Sequence, residues 1–188
     1  LTGPKAHPGK YYVRLNVGES SLTESFEILK DKRSMSSKDD LKEQFEFLIG
    51  IRDKVTEIHK TIKQIRSTRD QLNSLDGKLD DSHEEISNSI KDVVNKITKI
   101  EQNLYQTKNR SGQDPLNFPI RLNNKLAHLS SVAGRGNFRP TDQMYGVRDE
   151  LVELIDIELK KWNEIKDSEL DKINAMILEN NIQLISIN

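Results

Sequence analysis

The sequence predicts a mainly α protein: an antiparallel up-down four-helix bundle with long first and last helices, preceded by a short β-hairpin. Apolar residues recur at alternating three- and four-residue gaps over four stretches, the spacing of helices with one buried stripe. Period-two alternation is confined to the chain before Lys30. With 34% hydrophobic, 5% aromatic and 31% charged residues, the composition suits narrow seams between elongated helices better than a broad globular core. The 188 residues suffice for one or two domains.

Gly3, Pro4, Pro8 and Gly9 are turn or linker chemistry. Tyr11, Val13, Leu15 and Val17 then alternate with mostly polar residues, a turn fits Gly18 to Ser21, and Phe26 and Ile28 alternate within Thr23 to Leu29. This reads as a β-hairpin over residues 1–33. Two strands alone are marginal in water, so the hairpin is expected to lean on the helices or to be the remnant of an upstream β-sandwich. The opening Leu-Thr-Gly-Pro, without Met, reads as a piece of a longer polypeptide.

Residues 34–188 carry the bundle, with helices expected at about 37–75, 82–107, 117–134 and 141–180. The first is capped by Ser36 or Ser37, with Asp39 and Asp40 at its positive end. Its stripe is Leu41, Phe45, Leu48, Val55, Ile58, Ile62, Ile65 and Leu72, and it stops at Asp76-Gly77. At ~1.5 Å per residue it would be roughly 55 Å long, so it needs partners to cover its apolar side. Ser82 with Glu85 forms a capping box for the second helix. Its seam of Ile86, Ile90, Val93, Ile97, Ile100 and Leu104 is the most regular in the chain.

A loop covers Asn109 to Pro115. The third helix is expected near Asn117 or Phe118, with Pro119 in its first turn and Leu122, Leu126, Leu129 and Ala133 inward, stopping at Gly134. Thr141 caps the fourth, whose stripe is Val147, Leu151, Leu154, Ile155, Trp162 and Ile165. A kink or break is expected near residue 167, a continued stripe through Leu170, Ile173, Met176 and Ile177, and a stop at Asn180-Asn181. Ile182, Leu184, Ile185 and Ile187 form an apolar tail expected to lie against the bundle.

Short loops favour up-down-up-down order. In that order the basic later part of helix one would face the acidic early part of helix four, pairing Arg66 or Arg69 with Glu153 or Asp156.

A net charge of −1, from 29 basic and 30 acidic side chains, supplies no global field toward nucleic acid or membrane. The absence of cysteine excludes thiolate catalysis, disulfides and Cys-type zinc sites. No apolar run reaches the ~20 residues that span a bilayer. His7, His59, His83 and His128 fall on separate segments without zinc-helix spacing. No Gly-x-Ser-x-Gly elbow exists. Gly134-Arg135-Gly136 lacks the rest of a phosphate loop and reads as a helix stop and turn. The basic stripe of Lys60, Lys63, Arg66 and Arg69 has no interleaved aromatics for base stacking. Trp162 reads as core. No residue is therefore assigned a catalytic, cofactor-binding or metal-binding role, and no cofactor, nucleic acid or membrane insertion is expected.

Several segments carry a family resemblance. They are Pro8-Gly9-Lys10-Tyr11-Tyr12-Val13-Arg14-Leu15; Gln44-Phe45 with Ile51-Arg52-Asp53; Ile65-Arg66-Ser67-Thr68-Arg69; and Leu116-Asn117-Phe118-Pro119-Ile120-Arg121-Leu122-Asn123-Asn124-Lys125-Leu126, followed by Pro140-Thr141. From about Gly9 onward their order resembles the C-terminal region of bacterial sortilin-like (VPS10/BNR-repeat) glycosyl-hydrolase-type proteins. The resemblance implies an upstream β-propeller as partner, a periplasmic, extracellular or cell-surface location, and inter-helix ion pairing by Arg66 and Arg69. This chain has no Ser-x-Asp-x-Gly-x-Thr-Trp BNR motif, so no catalytic residue carries over. The expected function is that of a non-catalytic C-terminal accessory domain acting in packing or protein interaction, with leftover apolar surface driving homodimers. The alternative is a carbohydrate- or peptide-binding module using Asn117–Asn124 and Arg135–Thr141.

Overall fold

The computed structural model describes residues 3–182. It is mainly helical, with a two-stranded antiparallel hairpin first: β1 (Gly9–Val17) and β2 (Ser20–Ile28). The helices are α1 (Lys38–Asp76), α2 (Glu84–Leu104), α3 (Leu122–Ala133), α4 (Asp142–Glu164) and α5 (Leu170–Glu179). The Leu184, Ile185 and Ile187 tail lies outside the described residues; Ile182 donates its N–H to Ile177 O at 3.2 Å.

The chain divides into two compact units. The first comprises Leu1–Lys54 and Leu126–Asp149, the second Val55–Lys125 and Glu150–Asn188.

In the first unit the hairpin pairs from Gly9 with Ile28 to Val17 with Ser20, leaving a two-residue turn. Gly18 takes φ 58°, a positive value that suits glycine at the first position of such a turn. His7 ties the hairpin base to α1: Tyr11 Oη donates to its carbonyl at 2.7 Å, and its ring meets Phe45 edge-on at 5.3 Å. Ser37 is the α1 cap. Its Oγ accepts from Asp40 N at 3.0 Å, while Asp40 Oδ2 accepts from Ser37 N at 2.8 Å. The buried face of this part of α1 is Gln44, Phe47, Leu48 and Ile51, and the expected Leu41 and Phe45 are only half-buried. The Phe47 ring is claimed by Tyr145, edge-on at 4.9 Å, and by the Arg148 guanidinium at 5.3 Å. Gln44 Nε2 donates to Ala133 O at 2.7 Å, at the end of α3. Gly136, at φ 75°, completes the turn into α4, where any Cβ would strike the Phe138 ring. Thr141 Oγ1 accepts from Met144 N at 3.3 Å as the α4 cap.

In the second unit the α2 seam is buried from Ile86 to Leu104, and Ile58, Ile62, Ile65, Leu72, Ile155, Trp162 and Ile165 are among the other core residues. Val55 is half-buried. Trp162 is core, its indole N–H donating to Gln64 Oε1 at 3.2 Å. The expected Ser82–Glu85 capping box is not formed. Asp80 caps a 3₁₀ turn (Asp81–His83) instead, accepting from Ser82 N at 3.0 Å. Its carboxylate lies closer along the chain to the open N–H groups than Glu85 can reach back. The α2 helix ends at Leu104 rather than residue 107, because Tyr105 turns extended. The α3 helix starts at Leu122, not near Asn117. Pro119 belongs to the loop before it, its carbonyl accepting from Gln106 Nε2 at 2.7 Å. A π-helical turn (Ile165–Glu169) sits where a break near residue 167 was expected. Its extra residue lets the stripe resume at Ile173 and Ile177. Leu154, expected inward, is exposed, as is Val147 in the first unit.

The antiparallel placement of the first and last helices is corrected in each unit separately. In the first, Ser36 meets Asn137, Glu43 meets Tyr145 and Phe47 meets Arg148, so α1 and α4 advance the same way. In the second, Asp76 pairs with Ser87 and Arg66 with Glu101, so α1 and α2 are antiparallel. Lys96 pairs with Glu169 while Asn103 shares a cavity with Glu158, so α2 opposes α4–α5 as well. The cause is the connection over residues 105–121, which is no tight reversal. His59 has both Tyr105 and Asn123 beside it, so the chain enters α3 where it left α2.

Candidate functional site

The most organised polar centre lies in the second unit around Glu101. It sits one residue beyond Ile100 on the buried side of α2, with 2% of its surface exposed. Two arginines one helical turn apart on α1 reach it: Arg66 Nε to Oε1 at 2.7 Å and Arg69 Nη2 to Oε2 at 2.5 Å. Each carboxylate oxygen thus accepts a charge-assisted bond. The Arg66 guanidinium also lies 5.3 Å from the Tyr105 ring centroid, and Tyr105 in turn packs edge-on to His59 at 6.4 Å. Arg66 and Arg69 therefore form the inter-helix ion pairing that the resemblance implied, with Glu101 rather than Glu153 or Asp156. An acidic residue beside a strict apolar seam, matched by an unexplained Arg pair at i, i+3, is the sequence signal that marks Glu101. With every carboxylate oxygen taken, the centre is built to hold α1 and α2 together.

A second polar cluster, also in this unit, surrounds a cavity of about 290 Å³ lined by Asn103, Ile120, Arg121, Leu122, Lys125 and Glu158, among others. Glu158 Oε1 accepts from Lys161 Nζ at 2.7 Å, while its Oε2 is buried without a hydrogen-bond partner from the protein, as is Arg121 Nε. Asn123 points its Nδ2 at His59 Nε2 across 3.4 Å. In the first unit, Gly134 and Gly136 line a different cavity of about 540 Å³ with Gln44, Phe45 and Leu48. The Asn117–Asn124 and Arg135–Thr141 segments thus border separate cavities.

The displaced carboxyl groups are structural. The Asp80 carboxyl is held below the usual carboxylate range by the Ser82 hydroxyl and N–H and by His83. Asp114 is lowered by the N–H groups of Arg110 and Ser111 and by the Ser111 hydroxyl. Asp40 is lowered by Ser37, and Asp31 by Arg33. All four accept from residues within four positions along the chain, as caps and turns do. Lys96 is raised by hydrogen bonds to Asp92 and Glu169, and burial together with Glu43 raises the Tyr145 phenol. Of the histidines, His7 packs on Phe45, His83 faces Asp80 at 2.8 Å, and His128 is exposed. Among the described residues no three His, Asp or Glu groups converge as metal ligands. No helix among them is long and apolar enough to cross a membrane.

The third feature is the hairpin, in the first unit. Residues directly opposite share a face, so Tyr11, Val13, Leu15 and Val17 join Ser20, Leu22, Glu24, Phe26 and Ile28 on one side, apolar except for Ser20 and Glu24. Val13, Leu15, Val17 and Leu22 are 56%, 62%, 66% and 62% exposed, an apolar sheet face open to solvent. Comparison of the chain with family models, curated proteins and solved structures found no match.

Proposed function

We propose that this chain is a non-catalytic accessory domain acting in packing and protein interaction within a larger protein. The observation that carries the reading is the open apolar face of the hairpin. Soluble surfaces leave such a patch where something else is to cover it. Asp40, Asp80, Arg66 and Glu101 favour the same reading: they are consumed in a cap, a turn and an inter-helix pair, holding the fold rather than facing a substrate. By the resemblance, the covering partner is an upstream BNR propeller or its β-sandwich, in an exported bacterial protein at the periplasm or cell surface. Binding of this chain to the isolated upstream β domain tests it by calorimetry. The expected result is micromolar affinity that Leu15→Lys or Leu22→Lys abolishes. No binding, or glycoside hydrolysis by this chain alone, would overturn it.

A second reading is a carbohydrate- or peptide-binding module. It is favoured by the Arg121 Nε and Glu158 Oε2 atoms, buried without protein partners beside the 290 Å³ cavity. Paired opposite charges of that kind suit a ligand carrying both a donor and an acceptor. A glycan and peptide array reads it, with a hit lost on Arg121→Ala as support and a blank array against it.

A further inference from the structure

Among the described residues the sheet has two strands only, so both its edges are open. The two-residue turn makes Val17 and Ser20 the hydrogen-bonded pair that closes it. Antiparallel pairs alternate from there. Tyr11, Val13, Leu15 and Val17 therefore commit their main-chain groups to β2. Lys10, Tyr12, Arg14 and Asn16 direct theirs outward from the β1 edge, and Ser21, Thr23, Ser25 and Glu27 do so from β2.

We propose that the β1 edge is a homodimer interface, pairing antiparallel with β1 of a second copy about a two-fold axis at Val13. This deepens the reading of the chain as an interaction domain and rests on it. In that register Val13 faces the partner's Val13, Tyr11 the partner's Leu15, Tyr12 the partner's Arg14 and Lys10 the partner's Asn16. Apolar residues meet apolar residues on one face, and on the other a guanidinium meets a phenol ring, with no like charges directly opposed. Each outward pair adds two main-chain hydrogen bonds. The other geometries fare worse. Full overlap of two β2 edges sets Glu24 against the partner's Glu24. Pairing β1 to a partner's β2 does not close and would grow into fibres. Stacking two apolar faces, each roughly 30 Å by 10 Å from strand rise and spacing, buries on the order of 600 Å². That area is below a stable interface, and unlike edge pairing it adds no main-chain hydrogen bonds. The edge dimer is itself small, which makes it a weak, concentration-dependent association.

The chain has no cysteine, so one introduced thiol reports cleanly. In Val13→Cys the two Cα atoms, as a non-hydrogen-bonded pair, lie about 4.5 Å apart, inside the range a disulfide spans. Under mild oxidation at tens of micromolar, this variant is expected to run as a covalent dimer that reductant reverses. Glu24→Cys, also exposed and opposite Val13 on β2, is expected to stay at least tenfold less cross-linked. Adding Tyr12→Pro to Val13→Cys removes an outward N–H that the hairpin does not use and is expected to suppress the dimer. Cross-strand nuclear Overhauser effects between Tyr11 and Phe26 confirm in each variant that the hairpin persists. Equal cross-linking of Val13→Cys and Glu24→Cys, or a Val13→Cys variant that stays monomeric with its hairpin intact, would overturn the proposal. Loss of β-domain binding with the Val13→Cys disulfide still forming would instead sink only the accessory reading.

Discussion

The α2 seam and the hairpin face are equally regular in sequence and opposite in fate. Ile86, Ile90, Val93, Ile97, Ile100 and Leu104 are all buried, whereas Val13, Leu15, Val17 and Leu22 are each more than half exposed. Periodicity reports that a segment has an apolar side; it does not report what covers that side. The α2 stripe meets α1 and α4–α5 within its own unit. The hairpin is fastened only at its base, through His7 and Tyr11, and its far end finds no cover among the described residues.

The strongest way to break the comparison is to cut each region by a similar volume. Ile97→Ala leaves a cavity at a fully buried site and is expected to cost about 3 kcal/mol, read from urea unfolding. A comparable loss from Leu15→Ala would show that the hairpin face is covered after all. Next comes Glu101→Ala, which strands Arg69, itself 23% exposed, beside the seam. Removing one partner of a buried pair costs ~3–5 kcal/mol, but Arg66 is half-exposed and regains water, so about 2 kcal/mol is expected. Glu101→Gln should recover part of that through its remaining acceptor oxygen. If Glu101→Ala left the unfolding midpoint unmoved, the centre would be ornament rather than a clamp.

The same contrast explains what was legible in the residues. The α2 seam reads correctly because Ile and Val stand there at strict four-three spacing among polar neighbours. The start of α1 does not, because Phe45, Phe47, Leu48, Ile49 and Ile51 offer two overlapping stripes. The choice of Phe47 is made by Tyr145 and Arg148, far along the chain. Glu101 was legible only in part: its place beside the seam could be read, but its burial depends on two guanidinium groups from another helix. Helix direction failed where a loop was judged by its composition. The chain over 105–121 is pinned by Gln106 and Pro119 and does not reverse the path. Local signals fared better: Ser37, Thr141, Gly134 and Asn180-Asn181 all end or begin helices, although Asp80 displaced Ser82 as the α2 signal.

The caps supply a smaller effect with a defined sign. Asp40, Asp80 and Asp114 have folded-state values lowered by hydrogen bonds that an unfolded chain lacks. A depressed carboxylate contributes stability that is fully present above its unfolded value, near 3.9, and is lost as pH falls through the lower folded value. Thermal unfolding should therefore be flat in this respect above about pH 5 and decline below pH 4. The Asp80→Asn variant should show a shallower acid decline than the parent. An identical acid slope in parent and variant would remove Asp80 from the account.

The smallest expected effect is the most informative about the open face. Leu15→Thr puts a β-branched residue, suited to a strand, in place of leucine and removes mainly solvent-exposed apolar surface. For the isolated chain at low micromolar concentration, the change in unfolding free energy should lie within ~0.5 kcal/mol, as for other exposed sites. Binding of the hydrophobic dye ANS should fall at the same time, because Leu15 and Leu22 stand opposite each other at the middle of the patch. At concentrations where a second copy occupies the β1 edge, Tyr11 of the partner would lose its contact with Leu15. The substitution would then cost stability that depends on protein concentration. A midpoint insensitive to Leu15→Thr when dilute and lowered by it when concentrated is the pattern that separates an open face from one that a second copy borders.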